Sequence, residues 1–227
     1  MNNIVIGIEG LVGSGKTSIC KCLLDYIPNS IILHGGNLYR GIVYALMQSS
    51  KKINIDNLKQ NLKNIDIKEV MDKLNVDLKI EDSESIIYVA GKKIEEDELQ
   101  SEKASMAVSL ASSSADNSHF YKFGAEIINS FKNKFNLIVS GRDLMKIYPE
   151  LDYHFFITAS LEERIKRKMH QYNTMQYEEI KKNIKIRDEL QEQTGYYKIY
   201  ENTIEIDVTN CNSADEAAKK VLSFIKL

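Results

Sequence analysis

The strongest constraint on the fold is the stretch GLVGSGKT at residues 10–17. It fits the spacing G-x-x-x-x-G-K-[ST] and stands between a β-branched run ending at Ile8 and a helical pattern from Ile19. A glycine-rich turn at such a junction directs backbone N–H groups and the positive helix end at an anion. Lys16 then reaches the β- and γ-phosphates, and the Thr17 hydroxyl holds Mg²⁺. The residues predicted to bind a nucleotide cofactor are Gly10, Gly13, Ser14, Gly15, Lys16, Thr17 and Ser18.

Apolar runs of strand length alternate with helical patterns along the rest of the chain. Residues 30–34, 135–141 and 153–159 are predicted as strands buried on both faces, and residues 203–207 as the last strand. This order predicts an α/β fold, with a parallel sheet flanked by helices. Helices are predicted from Ile19 to Pro28 and at residues 38–49, 67–74, 102–114, 120–131, 161–170, 177–191 and 213–225.

One segment departs from the alternation, because residues 51–100 are rich in lysine and asparagine. Two short strands there, at 76–80 and 86–90, flank a polar turn at 82–85 and predict a hairpin in a small inserted lobe. We therefore predict a single domain of 227 residues. Its parts are a core of residues 1–50 and 101–227, an inserted lobe at about 51–100 and a helical lid at about 161–192.

Composition narrows the class of ligand. The formal net charge is -2, and the charges are spread along the chain without a basic face or tail. A nucleic acid polymer or a membrane surface is therefore not expected, and a small-molecule substrate is. Without a basic leader or a long apolar run, we expect a cytoplasmic protein, and we expect a monomer. Cys20, Cys22 and Cys211 are predicted to be free thiols.

Arginine is rare in this chain, since only five of the 30 basic residues are arginine. A planar fork suits bidentate phosphate recognition, so each arginine is a candidate. For Arg164 and Arg167, which adjoin Glu162 and Glu163, surface ion pairs are an equal alternative. The distribution predicts two phosphate-bearing ligands and a pair of late helices that closes over them, with its tip at residues 172–176. The five arginines are Arg40, Arg142, Arg164, Arg167 and Arg187.

A set of ordered motifs resembles the cytidylate kinase family, within the P-loop nucleoside monophosphate kinases. The set covers nearly the whole chain and is more specific than the loop alone. The similar segments are residues 6–23, 32–41, 89–109, 138–143, 148–168, 184–188 and 203–210.

The resemblance implies roles for several residues. Lys16 and Thr17 would serve ATP and Mg²⁺. Glu9, where the family usually has aspartate, would bind a magnesium-bound water, with a strand-end capping carboxylate as the alternative. Asp143 can accept hydrogen bonds from a ribose or a base amino group; a helix cap or an ion pair with Arg142 is its alternative. The residues implied to hold a nucleoside monophosphate are Arg40, Ser109, Arg142 and Asp143. The residues implied to act on the transferred group are Lys16, Arg142, Arg164, Arg167 and Arg187.

The chain also departs from the family pattern. His34 and Gly35 replace the aspartate and threonine of LDTG, and Ser140 replaces the first carboxylate of DGRD. Gln191 and Thr194 stand at an aspartate and an arginine of the acceptor site. The residues that the family uses for the phosphate donor, ATP, are therefore all present, whereas only about half of its acceptor-site residues are kept. This argues against assuming that CMP is the substrate.

Three functions are compatible with the sequence. The leading hypothesis is transfer of the γ-phosphoryl of ATP to a nucleoside monophosphate, CMP or dCMP. A kinase for another acceptor, such as a deoxynucleoside or another metabolite, would need a base for the acceptor hydroxyl. A non-catalytic nucleotide-binding module is the third, which the intact Lys16 and Thr17 disfavour. His34 and His119 are predicted as pocket-wall or surface residues.

Overall fold

Strands and helices alternate as expected in the computed structural model, which describes residues 3–49, 67–94, 118–171 and 176–226. The strands are β1 (Val5–Gly10), β2 (Ser30–His34), β3 (Val76–Glu81), β4 (Glu84–Val89), β5 (Lys92–Lys93), β6 (Asn136–Ser140), β7 (Tyr153–Thr158) and β8 (Thr203–Asp207). The helices are α1 (Lys16–Leu24), α2 (Gly35–Ser49), α3 (Ile67–Leu74), α4 (Ser118–Lys132), α5 (Leu144–Ile147), α6 (Leu161–Gln171), α7 (Tyr177–Gln193) and α8 (Ala214–Leu222). The predicted helix at 102–114 and most of the lid tip lie outside the described residues. Within those ranges, no helix is both long and apolar enough to cross a membrane.

The strands form one sheet in the order β3-β4-β2-β6-β1-β7-β8, with β5 paired to β4. All neighbours from β4 to β8 along this order are parallel, and the β3–β4 and β4–β5 pairs are antiparallel. The predicted α/β fold with a mostly parallel sheet is confirmed.

The central strands are apolar on both faces because helices cover both. Ile6 and Ile8 of β1 pack with Phe155 in a core that includes residues of α1 and α8. Val5 and Leu137 belong to a second core on the other side, with residues of α4 and α5. Burial on both faces explains why these strands read as continuous apolar runs rather than alternating patterns.

Gly10 ends β1 where no other residue fits. Its φ is +143°, and a Cβ there would lie 2.1 Å from the carbonyl oxygen of Ile157 in β7. This close approach lets the chain turn out of the sheet at the middle of its carboxyl edge, directly into the loop before α1. The loop of residues 10–17, called the phosphate loop below, is thus placed by the packing of β1 against β7.

Several element bounds differ from the predicted ones by a few residues, and three differences are larger. Helix α1 ends at Leu24, with Asp25 as its C-cap, and not at Pro28. Helix α5 was not predicted, because four residues are too few to show a helical period. The predicted hairpin forms, but β4 also pairs with β2 through Ile32 and Glu84, so it extends the central sheet and covers the β2 edge. The bounds of the inserted lobe stay a prediction, since residues 51–66 and 95–117 lie outside the described ranges.

Helices α6 and α7 have a small apolar core of their own. Ile165, Ile180 and Ile184 are buried there together with Val12 of the phosphate loop. The predicted lid helices therefore pack against the loop as well as against each other.

Candidate phosphoryl-transfer site

A cavity of about 1010 Å³ opens at the carboxyl edge of the sheet. Ser140 at the end of β6 lies in register with His34 of β2 and with Ile8 of β1, which brings the three strand ends together. Ligands of open parallel sheets bind in the crevice outside these ends. The cavity is at the upper limit of single-ligand pockets, and thus has room for two ligands.

The phosphate loop forms one end of the cavity. Gly13 and Gly15 have left-handed backbones, with φ of +76° and +93°. Gly15 is the N-cap of α1 and supplies no side-chain cap, so the first N–H groups of the helix lack that acceptor. The Ser14 hydroxyl is fully buried and makes no hydrogen bond to any described residue. Uncapped helix donors beside a buried hydroxyl fit an anionic ligand.

Lys16 lies across this loop. Its Nζ donates hydrogen bonds to the carbonyl oxygens of Gly10, at 3.0 Å, and Leu11, at 2.7 Å. Burial, followed by the charges of Arg142 and Arg187, lowers the pKa of Lys16 well below its usual value. Such a shift means that the protonated amine lacks negative charge around it, a condition that a bound phosphate would relieve.

Positive charge dominates the cavity walls. Among the described residues that line it, seven are basic and two, Asp143 and Glu163, are acidic. Burial, with Arg187 and Arg40 nearby, lowers the pKa of Lys168 to about 8. The structure thus brings four of the five predicted arginines together with Lys16, and it adds Lys168, which the sequence analysis did not select. The seven residues, called the basic cluster below, are Lys16, Lys21, Arg40, Arg142, Arg167, Lys168 and Arg187.

Arg142 is oriented by a neutral partner. Its Nε donates to Oε1 of Gln191 at 2.7 Å, and its Nη1 donates to the carbonyl oxygen of Gly141 at 2.9 Å. Gln191 is buried on α7 and lines the cavity. Because an amide rather than a carboxylate pairs with it, the guanidinium charge is not neutralised by this contact. Thr194, the other changed position, donates to the carbonyl oxygens of Leu190 and Gln191 in its own helix.

Asp143 follows Arg142 in an unusual conformation. It is 4% exposed, with φ of 54° and ψ of 29°, a left-handed backbone that only a few per cent of residues other than glycine adopt. Its carboxylate accepts hydrogen bonds from the Tyr121 hydroxyl and from Lys146 Nζ. It makes no cap hydrogen bond to α5 and, within the described residues, no ion pair with Arg142. Asp143 is thus the N-cap residue of α5, but its side chain forms neither a cap hydrogen bond nor the ion pair with Arg142 that was considered for it.

The two arginines of α6 hold the phosphate loop. Arg164 is buried and does not line the described part of the cavity; its Nη1 donates to the Val12 carbonyl oxygen and to Asp188 at 2.6 Å. Arg167 does line the cavity, and it donates to the carbonyl oxygens of Ser14 and Val208 and to Glu163. Through these contacts Arg164 anchors the phosphate loop to α6 and α7, whereas Arg167 lies beside both the loop and the cavity.

The two predicted metal residues differ in position. Thr17 lines the cavity. Glu9 is 2% exposed and is not among the described lining residues; its carboxylate accepts the backbone N–H of Leu144 and lies 3.6 Å from Nε2 of His154. In the described part of the chain, no group of three or more histidine, cysteine or acidic residues is arranged to hold a metal ion.

His34, the replacement for the family's aspartate, is a cavity-wall residue as predicted. Its Nε2 lies 2.8 Å from Oε2 of Glu84, and Glu84 also pairs with Lys21 at 3.2 Å. The hydrogen bond with His34 is the main cause that lowers the pKa of Glu84. Ser109, the fourth predicted acceptor residue, and the side chain of His119 lie outside the described residues.

An aromatic wall completes the cavity, and the sequence analysis did not predict it. Tyr39 and Phe120 are in contact, with ring centroids 4.3 Å apart. A usable signal was the i, i+3 spacing of Phe120 and Phe123 on α4, which places both rings on one helix face. The wall consists of Tyr39, Phe120, Tyr121, Phe123 and Tyr196.

The sheet order, the glycine loop between β1 and α1, and the basic cavity define a phosphotransferase with a P-loop kinase fold. A family model described as cytidylate kinase matches residues 6–227. The chain belongs to the cytidylate kinase family, as the ordered motifs predicted.

Individual relatives agree with this assignment. A cytidylate kinase of Aquifex aeolicus is 33% identical over 228 residues, which cover 97% of this chain and 95% of that protein. A cytidylate kinase of Pseudothermotoga lettingae is 30% identical over 218 residues, covering 92% and 89%. A crystal structure of an uncharacterized protein from Eubacterium ventriosum covers 98% of both chains with a TM-score of 0.51 at 14% identity, a likeness of fold alone.

Proposed function

We propose that this protein is an ATP-dependent nucleoside monophosphate kinase, with CMP or dCMP as the first acceptors to test. The observation that carries the proposal is the basic cluster, which extends from the phosphate loop to Arg40 and Arg142 within one cavity. Two phosphate-bearing ligands need this excess of positive charge, whereas a single neutral metabolite does not. Membership of the cytidylate kinase family and the names of its relatives support the same acceptor class.

The donor end fits ATP with Mg²⁺. The buried Ser14 hydroxyl, the uncapped N-terminus of α1 and the depressed pKa of Lys16 each favour a polyphosphate. Gly10, Gly13, Gly15 and Ser18 complete the predicted cradle, and Thr17 would hold the cation. When bound, Mg²⁺ supplies neutralisation of charge on the β- and γ-phosphate oxygens.

The acceptor end fits a phosphate joined to a flat ring. Arg142 and Arg40 would bind the acceptor phosphate, the aromatic wall would contact the base, and the Asp143 carboxylate would accept a hydrogen bond from it. No strong base is required, because the acceptor phosphate is already an anion. The residues act by positioning and by charge stabilisation, with Arg167, Lys168 and Arg187 of the helix pair facing the transferred group.

A second candidate is phosphorylation of a hydroxyl group. His34 lines the cavity and pairs with the Glu84 carboxylate, and such a histidine–carboxylate pair can remove a proton from a hydroxyl acceptor. The acceptor would then be a deoxynucleoside. A nucleoside monophosphate kinase needs no such proton-removing pair, because its acceptor phosphate is already an anion.

A substrate panel tests both functions. The purified protein is incubated with ATP, Mg²⁺ and CMP, dCMP, UMP, AMP, GMP, dTMP or free deoxynucleosides, and ADP release and product mass are recorded. Conversion of CMP or dCMP that is lost in Lys16→Ala supports the proposal. Turnover of deoxynucleosides alone would instead select the second candidate. Binding of ATP without conversion of any acceptor would contradict both and leave either a kinase for a metabolite outside ordinary nucleotides or a nucleotide-binding module.

A further inference from the structure

The short helix α5 is capped from a distant strand. Leu144 is its first residue, and a first-turn N–H has no acceptor within its own helix. The Glu9 carboxylate, at the end of β1 and 135 residues away in sequence, accepts this N–H. Asp143 occupies the N-cap position, where an aspartate side chain ordinarily accepts the N–H of the second or third helical residue, but its side chain makes no cap hydrogen bond. The side-chain cap of α5 is therefore the Glu9 carboxylate, at the first N–H of the helix, while the Asp143 side chain supplies none.

The consequence for Asp143 is both conformational and chemical. Its left-handed backbone is strained for a residue with a side chain and must be stabilised by its surroundings. The backbone N–H groups of Lys146 and Ile147 both donate to its carbonyl oxygen at 2.9 Å, and Glu9 holds the next residue, Leu144. Its carboxylate, which makes no cap bond, accepts hydrogen bonds from Tyr121 and Lys146 at the cavity wall instead.

We propose that Glu9 is a positioning residue: it fixes the turn at Asp143 by capping α5 and so presents the Asp143 carboxylate to the acceptor. The expected effect of Glu9 on acceptor KM rests on the proposed function. The capping of α5 by Glu9 does not, because it is a property of the free protein. It is an alternative to the metal role implied by the family resemblance. The burial of Glu9 beside His154, away from the described cavity lining, favours it.

Two substitutions separate the roles. Glu9→Gln keeps an oxygen that can accept the Leu144 N–H but removes the charge that a magnesium site would use, whereas Glu9→Ala removes both. Glu205→Gln, at an exposed site on β8, is the matched control. The measurements are amide hydrogen exchange at Leu144 in the free protein, the KM of the acceptor, the KM of ATP and the Mg²⁺ concentration for half-maximal activity. Thermal unfolding checks that each variant is folded.

The expected result is rescue by the conservative variant. In Glu9→Gln we expect exchange at Leu144, acceptor KM and Mg²⁺ dependence all within about threefold of the parent. In Glu9→Ala we expect exchange at Leu144 and the acceptor KM each to rise about tenfold or more, with ATP KM and Mg²⁺ dependence within about twofold. A double-mutant cycle with Asp143→Ala should be non-additive in acceptor KM, because Glu9 acts through Asp143.

Other outcomes overturn the proposal. A large rise in the Mg²⁺ requirement of Glu9→Gln, with normal exchange and acceptor KM, would assign Glu9 to the metal. If Glu9→Ala does not fold, Glu9→Gln alone still decides between the roles. Exchange at Leu144 that is the same in folded Glu9→Ala as in the parent would disprove the cap, even in an active kinase. Exchange that depends on Glu9 in a protein without kinase activity would retain the cap and reject the proposed function.

Discussion

The two ends of the cavity are built by different means. The phosphate loop is made of backbone, with glycines in left-handed conformations and a helix start without a side-chain cap. The Arg142 end is made of side chains from β6, α2, α4 and α7, held by contacts such as Arg142 to Gln191. A backbone site tolerates little change, whereas a side-chain site can be altered residue by residue on the same fold. The departures from the family pattern at His34, Ser140 and Gln191 all fall on the side-chain end.

The largest effect is expected at the loop. Lys16→Ala removes the side-chain cation that bonds the Gly10 and Leu11 carbonyl oxygens of the phosphate loop and should lower kcat by at least about 10³-fold. Steady-state ADP release measures this, with Lys182→Ala, an exposed lysine on α7, as the control. Retention of most activity in Lys16→Ala would show that the loop end does not bind the transferred phosphate.

Arg142→Lys tests the other end. The lysine keeps the charge but has no Nε to bond Gln191 and no planar fork, so acceptor KM should rise or kcat should fall by about tenfold to a hundredfold. The KM of ATP should change little. An exposed Lys182→Arg substitution serves as the control, and equal behaviour of the two variants would place Arg142 outside the acceptor site.

The pH dependence should reveal Lys168. With a pKa of about 8 in the free protein, Lys168 is charged below this pH and loses its charge above it. Phosphate binding should therefore weaken as pH rises, and kcat/KM for ATP should fall above about pH 8, by at most about tenfold per unit. Lys168→Arg should keep kcat/KM level to higher pH, while the exposed Lys166→Arg should not. An unchanged fall in Lys168→Arg would show that another group controls the profile.

Gln191→Glu should give the smallest change. A carboxylate at this position would pair with Arg142 and cancel one positive charge of the basic cluster, so acceptor KM should rise about threefold to tenfold. Gln193→Glu, exposed near the end of the same helix, adds the same charge without that contact. A lower acceptor KM in Gln191→Glu would mean that the acceptor offers a donor group at this point rather than an anion.

Much of the fold was predictable, because its strands are buried apolar runs. The predicted bounds of β2 and β8 match the structure residue by residue. The phosphate loop was predictable for a related reason, since the residues that define it are eight consecutive positions of the chain.

The remaining site features depend on pairs that are distant in sequence. Arg142 and Gln191 are 49 residues apart, and Glu9 and Leu144 are 135 apart. No spacing rule encodes such pairs, since each depends on how two elements pack. For the same reason the contact of Arg164 with Val12 and the burial of Lys168 could not be derived from the charged helix pattern alone.

Val12 connects the phosphate loop to helices α6 and α7, and this connection couples ligand binding at the two places. Its side chain is part of the α6–α7 core, its carbonyl accepts from Arg164, and its N–H is within 3.4 Å of acceptor oxygens on Asp188 and Tyr197. The loop and the helix pair therefore cannot rearrange independently. A ligand that favours one arrangement of the loop must shift the equilibrium of the helices, and by reciprocity a ligand held by the helices must change affinity at the loop to the same extent.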